Sequence, residues 1–237
     1  MKNIVFLFMC LLFSIASFSQ INELGIFAGG SNYIGDIGRT NYIYPNSYAA
    51  GIVYKWNLHP HYSLRANYIY SRLKFSDSES DNSFRQARGL NDRFNDIHEF
   101  AAGIEYHFFK YNLSKIGHTN TPYLFAQLGV VNYGSEYGEI DDSGILTRYS
   151  ERNFNFTIPF GAGFKTILAP RFGIGFEIGF RYTFKDNIDS YPFLSTEDIE
   201  RYDLNVQINP NNNDWYVFTG ITLVYAFGRE GCYTGTF

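Results

Sequence analysis

Charge is scarce in this chain. Only 18% of its 237 residues are Asp, Glu, Lys or Arg, against about 25% in an ordinary globular protein. Acidic residues outnumber basic ones by 23 to 19, which excludes the basic footprint of a nucleic-acid binder. Low charge beside 45% hydrophobic content also excludes intrinsic disorder, which needs the opposite balance. Cysteine is nearly absent, with Cys10 and Cys232 alone. Past the first residues, no apolar run approaches the ~18 residues of a spanning helix, so the rest of the chain has no helical anchor.

Aromatics and glycine are abundant instead. Phe, Tyr and Trp make up 19% of the chain, with 24 Phe, 20 Tyr and 22 Gly. That composition points to many short strands with aromatic faces and excludes coiled coils and helix bundles. The length suits one sizeable domain.

The first residues read as a cleaved leader. Lys2 supplies a positive start, Ile4 to Phe18 form an apolar run of about 15 residues, and Ser17 and Ser19 occupy the −3 and −1 positions of a cleavage site. The pattern fits a secretory signal peptide over 1–19 and is too short for a stable spanning helix. Cys10 follows Phe8 and Met9 inside the apolar run, unlike the cysteine of a lipoprotein signal. Cleavage leaves 18 basic and 23 acidic residues, a net charge of −5. It also leaves Cys232 as an odd cysteine in an oxidising compartment, which suggests an intermolecular bond or a free thiol; an inert buried thiol is the alternative.

A period of two runs through the remaining chain and predicts eight strands. The first, Leu24 to Ile34, is glycine-rich. The second, about Tyr48 to Trp56, places Ala50, Ile52, Tyr54 and Trp56 on one face. The third alternates Tyr62, Leu64, Ala66, Tyr68 and Tyr70 with Ser63, Arg65, Asn67 and Ser71. The fourth sets Phe100 to Phe108 against Glu99 to His107. The fifth, Tyr123 to Tyr133, is apolar on both faces, so its orientation is open. The sixth sets Phe154, Phe156, Ile158, Phe160, Ala162 and Phe164 against Asn155, Thr157, Gly161, Gly163 and Lys165. The seventh is the clearest, with Phe172, Ile174, Phe176, Ile178, Phe180 and Tyr182 opposite Gly173, Gly175, Glu177, Gly179 and Arg181. The eighth runs from Trp215 to Phe227.

The predicted connections are roughly 12, 4, 21, 12, 19, 6 and 29 residues. Long polar and short segments alternate, as in bacterial outer-membrane barrels with long outer loops and short periplasmic turns. Only a closed barrel lets strands cross lipid without unsatisfied edges. The expected fold is therefore an all-β, eight-stranded antiparallel outer-membrane barrel over 20–227. A periplasmic tail occupies 228–237, and both termini lie on the short-turn side. Aromatic girdles are expected from Tyr48, Tyr68, Tyr70, Tyr133, Phe154, Tyr182, Trp215 and Tyr216 at one rim. Trp56, Tyr62, Phe108, Tyr123, Phe172, Tyr225 and Phe227 should form the other. Arg65, Glu99, Glu105, Lys165, Glu177 and Arg181 then fall on the inner face. A soluble lipocalin-type barrel would invert that pattern, with an apolar interior. An interior this narrow is filled by side chains: glycines at Gly103, Gly161, Gly163, Gly173, Gly175 and Gly179 leave some room, the charged residues take it up, and ion conduction is not expected.

Constellations for chemistry are thin. His59 and His61 flank Pro60 without a third ligand, which reads as a polar turn rather than a metal site. His98 lies near the outer rim, where some eight-stranded barrels hydrolyse lipid, but Phe100 stands where a serine would be needed. His107 and His118 complete the histidines. Asp77, Glu79 and Asp81 resemble the start of a calcium loop, yet Asn82 and Arg88 replace its glycine and glutamate. No enzyme activity, metal, cofactor or small-molecule substrate is expected. The segment Phe84-Arg85-Gln86-Ala87-Arg88-Gly89-Leu90 puts two arginines into an acidic loop. It either contacts a partner or folds over the barrel mouth to pair with lumen carboxylates.

Several blocks resemble the PorG-like outer-membrane proteins of Bacteroidetes. They are Glu23-Leu-Gly-Ile-Phe-Ala-Gly-Gly-Ser-Asn-Tyr-Ile-Gly-Asp36, Tyr54-Lys-Trp-Asn57, Phe84-Arg-Gln-Ala-Arg88, Ile97-His-Glu-Phe-Ala101, Phe108-Phe-Lys-Tyr111 and Asn213-Asp-Trp-Tyr216. The resemblance implies a component of the type IX secretion system, a barrel associated with a periplasmic ring of a lipoprotein and a companion subunit. That machine exports proteins with a C-terminal signal and supports gliding motility in some bacteria. On this reading the barrel anchors the ring. Cys232 in the tail, with Lys110 and Lys115 in the longest periplasmic turn, would be the contacts. The alternative is a small surface barrel of the OmpA/OmpX kind, acting in adhesion or protection through its outer loops.

Overall fold

The computed structural model describes residues 21–90, 92–111, 120–140, 146–185, 187–190 and 213–228. The predicted leader, His118, Lys115, Cys232 and most of the predicted tail lie outside the described residues. Eight strands close into one antiparallel barrel, each paired with its sequence neighbours and β8 with β1. They are β1 (Ile21–Ile34), β2 (Ser47–His59), β3 (Tyr62–Phe75), β4 (Arg93–His107), β5 (Asn120–Ile140), β6 (Leu146–Ala169), β7 (Phe172–Thr183) and β8 (Trp215–Phe227). The sole helix among the described residues longer than a 3-10 turn is α1 (Ser83–Arg88).

Closure fixes the geometry. Followed from Thr183 on β7 through Thr157, Gly129, Ala101, Asn67, Val53, Gly25 and Val224, the register returns to β7 at Gly173, displaced by ten residues. With strands about 4.8 Å apart and about 3.3 Å per residue, that stagger tilts them by about 40°. Ile21 and Phe227 lie at the end that carries the tight turns Pro60–His61 and Pro170–Arg171. In β6, Pro159 has no amide to donate, and the recorded β5–β6 register steps from Ala126↔Phe160 to Gly129↔Thr157 across it.

The strand alternation sorts side chains as the sequence predicts. Outward positions carry Ile26, Ile52, Phe100, Leu128, Phe156 and Phe176, all exposed, while Lys55, Arg65, Glu99, Glu105, Lys165, Glu177 and Arg181 are buried inside. Three expectations change. Tyr123, Tyr133 and Tyr216 are buried in the lumen instead of standing in the girdles. Once the odd residues of β5 face inward, they place aromatic rings inside. The predicted 19-residue loop after the fifth strand is mostly strand, because β5 and β6 stay paired out to Ile140↔Leu146. The inner-face glycines do not leave space. A Cβ on Gly161 or Gly179 would come within 2.8 Å of the Phe125 ring, and one on Gly220 within 2.7 Å of Phe27. The rings occupy the volume that the missing side chains free.

Candidate functional site

The lumen divides into two layers. Toward the short-turn end, Glu105 collects cations from three strands: Lys165 Nζ at 2.7 Å, Lys55 Nζ at 2.8 Å and Arg65 at 3.3 Å. The His107 ring lies 3.0 Å from the same carboxylate. Arg65 also donates two hydrogen bonds to Glu177, at 2.7 and 2.9 Å, across the barrel from β3 to β7. The Tyr123 hydroxyl donates to Glu177 at 2.7 Å, and Glu23 accepts from the Asn57 amide at 2.7 Å. Lys55, Arg65 and Lys165 thus pair with Glu105 and Glu177 and share the layer with buried Glu23, a balanced set that can be kept out of water because its charges compensate. Nearer the long loops, Glu99 accepts from the Tyr216 hydroxyl at 2.6 Å and from Arg181 at 3.3 Å. Arg181 lies over the Phe218 ring at 4.2 Å.

The six lumen charges named from the sequence therefore do point inward, but in two groups, and the first has further members. Lys55 was hidden opposite the aromatic face of β2. Glu23 precedes the predicted start of the first strand. Tyr123 and Tyr216 carried no signal that set them apart from girdle tyrosines.

Above Glu99 the lumen turns apolar. Phe27, Val53, Ile69, Leu73, Ile97, Val131 and Tyr133 form one buried cluster that continues into Ile37 and Ile188 of the connecting loops. Leu90 packs against it. The loops are stitched over this plug by polar contacts. Tyr33 donates its hydroxyl to Asp189 at 2.7 Å and also to Asp214.

The Phe84 to Leu90 segment belongs to the same lid. Asn82 caps α1 by accepting from the Phe84 amide at 2.9 Å, and Gly89 ends it in the left-handed region at φ 65°, where glycine is unhindered. Arg85 donates to the carbonyls of Gly38 and Gly35, both at 2.9 Å. Arg88 donates to Asp77 at 2.7 Å and to the Asp36 carbonyl at 2.8 Å. Gln86 donates to the Ser80 carbonyl at 2.6 Å, while Phe84 stays exposed. The arginines do fold over the mouth. Their partners are Asp77 and carbonyls of the β1–β2 loop rather than lumen carboxylates, which lie below the apolar plug. Asp77, Glu79 and Asp81 each have protein partners, in Arg88, Lys74 and Thr40. The Thr40 hydroxyl holds the exposed Asp81 carboxyl below the usual carboxylate range. No metal-holding cluster of His, Cys, Asp or Glu occurs among the described residues.

Removing the Arg88 clamp by Arg88→Ala is expected to free the 76–92 loop while the barrel stays folded. Protease cleavage within that loop should rise at least severalfold on intact cells, with an unchanged heat-modifiable gel band. An unchanged cleavage rate would show that the contact does not hold the lid.

Of the other predicted positions, Lys110 is exposed at the short-turn end. His98 Nδ1 lies 2.7 Å from the Tyr68 hydroxyl on the outer face. His59 and His61 stack at 5.6 Å.

A closed eight-stranded barrel with an apolar exterior and a charged, filled interior defines a transmembrane barrel of the outer-membrane type. The chain itself belongs to the DUF6089 family, a domain of unknown function, which matches residues 2–236. No curated protein matches it. Among solved structures it is similar to the N-terminal β-barrel domain of Pseudomonas aeruginosa OprF, with 13% identity, TM-score 0.43, and 89% of this chain and 98% of that one covered. It is also similar to the attachment invasion locus protein Ail of Yersinia pestis, with 11% identity, TM-score 0.39, and coverage of 87% and 99%. A major outer membrane protein of Thermus thermophilus matches with 13% identity, TM-score 0.43, and coverage of 88% and 99%. At these scores the architecture rests on the chain's own strand register.

Proposed function

We propose that this chain is an outer-membrane barrel of the type IX protein secretion system that anchors a periplasmic ring of a lipoprotein and its companion subunit. The observation that carries the reading is the stoppered lumen: ionic groups fill one half and an apolar plug closes the other. Such a barrel acts through what it presents at its two ends, and an anchor needs no catalytic group. The choice of partner rests on the resemblance of the sequence blocks Glu23–Asp36, Tyr54–Asn57, Phe84–Arg88, Ile97–Ala101, Phe108–Tyr111 and Asn213–Tyr216 to PorG-like proteins. At the short-turn end, the β4–β5 connection with exposed Lys110 and the chain leaving β8 at Gly228 are the surfaces such a ring would meet. Both termini are periplasmic in this orientation, and Cys232 offers a disulfide to a ring subunit.

The test is deletion of the gene followed by complementation. Loss should abolish release of a reporter bearing the C-terminal secretion signal. Outer membranes run without reductant should show a slow band that collapses on reduction and is missing in Cys232→Ser cells. Normal secretion in the deletion strain would sink the anchor reading. A secretion defect without the slow band would leave docking non-covalent. A second reading, a surface barrel working in adhesion or protection, is favoured by one observation. The β5–β6 hairpin outruns its neighbours and exposes Tyr137 and Tyr149, stacked at 5.2 Å. It predicts that replacing that hairpin abolishes function while tail changes do nothing.

A further inference from the structure

The short-turn end of the lumen is closed by a residue that belongs to no strand. β4 ends at His107, and the chain then exposes Phe108, Phe109 and Lys110 before burying Tyr111. The Tyr111 ring packs with Ile21, Ile167, Val224 and Ala226. It lies 4.1 Å from Lys165 Nζ and meets the His107 ring edge-on at 5.7 Å, which makes it a floor beneath the Glu105 cluster. The backbone that carries it is pinned. The Phe108 amide donates to the Pro122 carbonyl at 3.1 Å, the Phe109 amide to the Thr121 hydroxyl at 3.0 Å and the Tyr111 amide to the Pro60 carbonyl at 3.1 Å. Exposed side chains alone give a segment little to order it. Here the order comes from the one ring that turns inward.

A few polar atoms at this floor lie outside the charge network. Asn57 donates to one oxygen of Glu23 at 2.7 Å. The other Glu23 oxygen, the Asn57 amide oxygen and the Tyr111 hydroxyl are buried with no hydrogen-bond partner among the described residues. Packing brings them to one place. Tyr111 lies against Ile21, two residues before Glu23 on the same inner face, and against Ala226, the β8 residue paired with Glu23. Burial, then the Glu23 and Glu105 carboxylates, push the Tyr111 hydroxyl well above the ordinary tyrosine range, so it remains a donor. Two bare acceptors and one bare donor match a single water, which donates twice and accepts once. Buried waters typically make about three such bonds, to groups that would otherwise stay unsatisfied.

We propose that Tyr111 is a latch. Through its ring, and through one buried water shared with Glu23 and Asn57, it locks the β4–β5 connection into the barrel mouth and holds Phe109 and Lys110 in a fixed outward presentation. Those two residues are then a preformed contact for the periplasmic partner, since a surface already ordered loses less freedom on binding. The latch stands on the geometry of the mouth; its part in docking rests on the anchor reading above.

The experiment pairs two readouts on the full chain extracted from outer membranes, with folding checked by the heat-modifiable gel band. The first is trypsin cleavage after Lys110, identified by mass spectrometry of the fragment that ends there. A protease needs extended, unbonded backbone around the cut, which the pinned amides deny, so the rate follows local opening. Wild type should resist. Tyr111→Ala should be cut at least tenfold faster, and Tyr111→Phe, which keeps the ring and loses the hydroxyl, about threefold faster. Phe84→Ala at the opposite end should match wild type. The second readout is the ring lipoprotein that copurifies with the barrel, which Tyr111→Ala should lower at least fivefold. Cleavage of Tyr111→Ala at the wild-type rate would overturn the latch, and Tyr111→Phe cut at the wild-type rate would overturn the water bridge. Faster cleavage with full ring retention would overturn the part in docking. Should Tyr111→Ala lose the folded band, Tyr111→Phe still decides by both readouts. Wild type that resists trypsin yet retains no ring lipoprotein would sink the anchor reading and leave the latch standing.

Discussion

Replacing Ile52 by arginine is expected to destabilise the barrel in a bilayer by about 2–4 kcal/mol, the range for a cation at the membrane midplane. Ile52 is 54% exposed and stands on the outer face of β2 midway between Tyr48 and Trp56. In a water-soluble barrel, an isoleucine so exposed would tolerate arginine within about 0.5 kcal/mol. The substitution thus separates lipid from water as the solvent of this face. Urea unfolding of the chain folded into phospholipid vesicles reads the difference directly. Arginine at Tyr48, in the rim, should cost about 0–1 kcal/mol because it can reach the interface. Equal, small effects at both positions would mean that the exposed apolar belt is not immersed in hydrocarbon.

The second large effect is expected at Glu105, whose carboxylate is fully buried among Lys55, Lys165, Arg65 and His107. Glu105→Gln removes the charge and leaves three cations to share Glu177 and Glu23. Breaking a buried pair in this way costs about 3–5 kcal/mol, because the remaining charges lose their compensation in a low dielectric. Adding Lys165→Met to Glu105→Gln should recover part of the loss. The double variant should be more stable than the sum of the single effects predicts, as expected of residues in one network. Glu136→Gln, at the exposed pair with Arg93, should change stability by no more than about 1 kcal/mol. The same vesicle unfolding assay measures Glu105→Gln, Lys165→Met, the double variant and Glu136→Gln. A loss below about 1 kcal/mol for Glu105→Gln would show that water reaches the cluster and solvates its cations.

The two predictions draw on different kinds of information. The placement of Ile52 outward was legible in β2, because Ala50, Ile52, Tyr54 and Trp56 alternate with a second set of residues. The alternation of β7 was plainer still. Where one face meets lipid and the other meets charge, the period of two is a direct image of the solvent on each side. The strand β5 defeated that logic. Tyr123, Phe125, Val131 and Tyr133 face inward yet are as apolar as Leu124 and Leu128 outside. No contrast in polarity marks the face when the lumen itself is filled with rings. The length of the β5–β6 hairpin was hidden for a related reason. Its outer part stands clear of both neighbouring strands, so polar residues suit it and it resembles a loop.

Alternation and spacing by themselves determined an eight-stranded barrel with charges inside, long connections at one rim and tight turns at the other. Each follows from chain-local contrasts between neighbouring residues. Which charges meet was decided only by tertiary closure. Arg65 and Glu177 are 112 positions apart in the chain, and they touch because β3 and β7 stand opposite each other in a ring of eight. The ten-residue stagger brings them to one level. The loop arginines show the same division. Their presence in an acidic segment was visible, but the buried plug that separates them from the lumen carboxylates arises from residues on six strands and two loops packing together. Packing over such sequence distances leaves no periodic mark, since each contributing residue is selected by neighbours that the chain brings near only after it has closed.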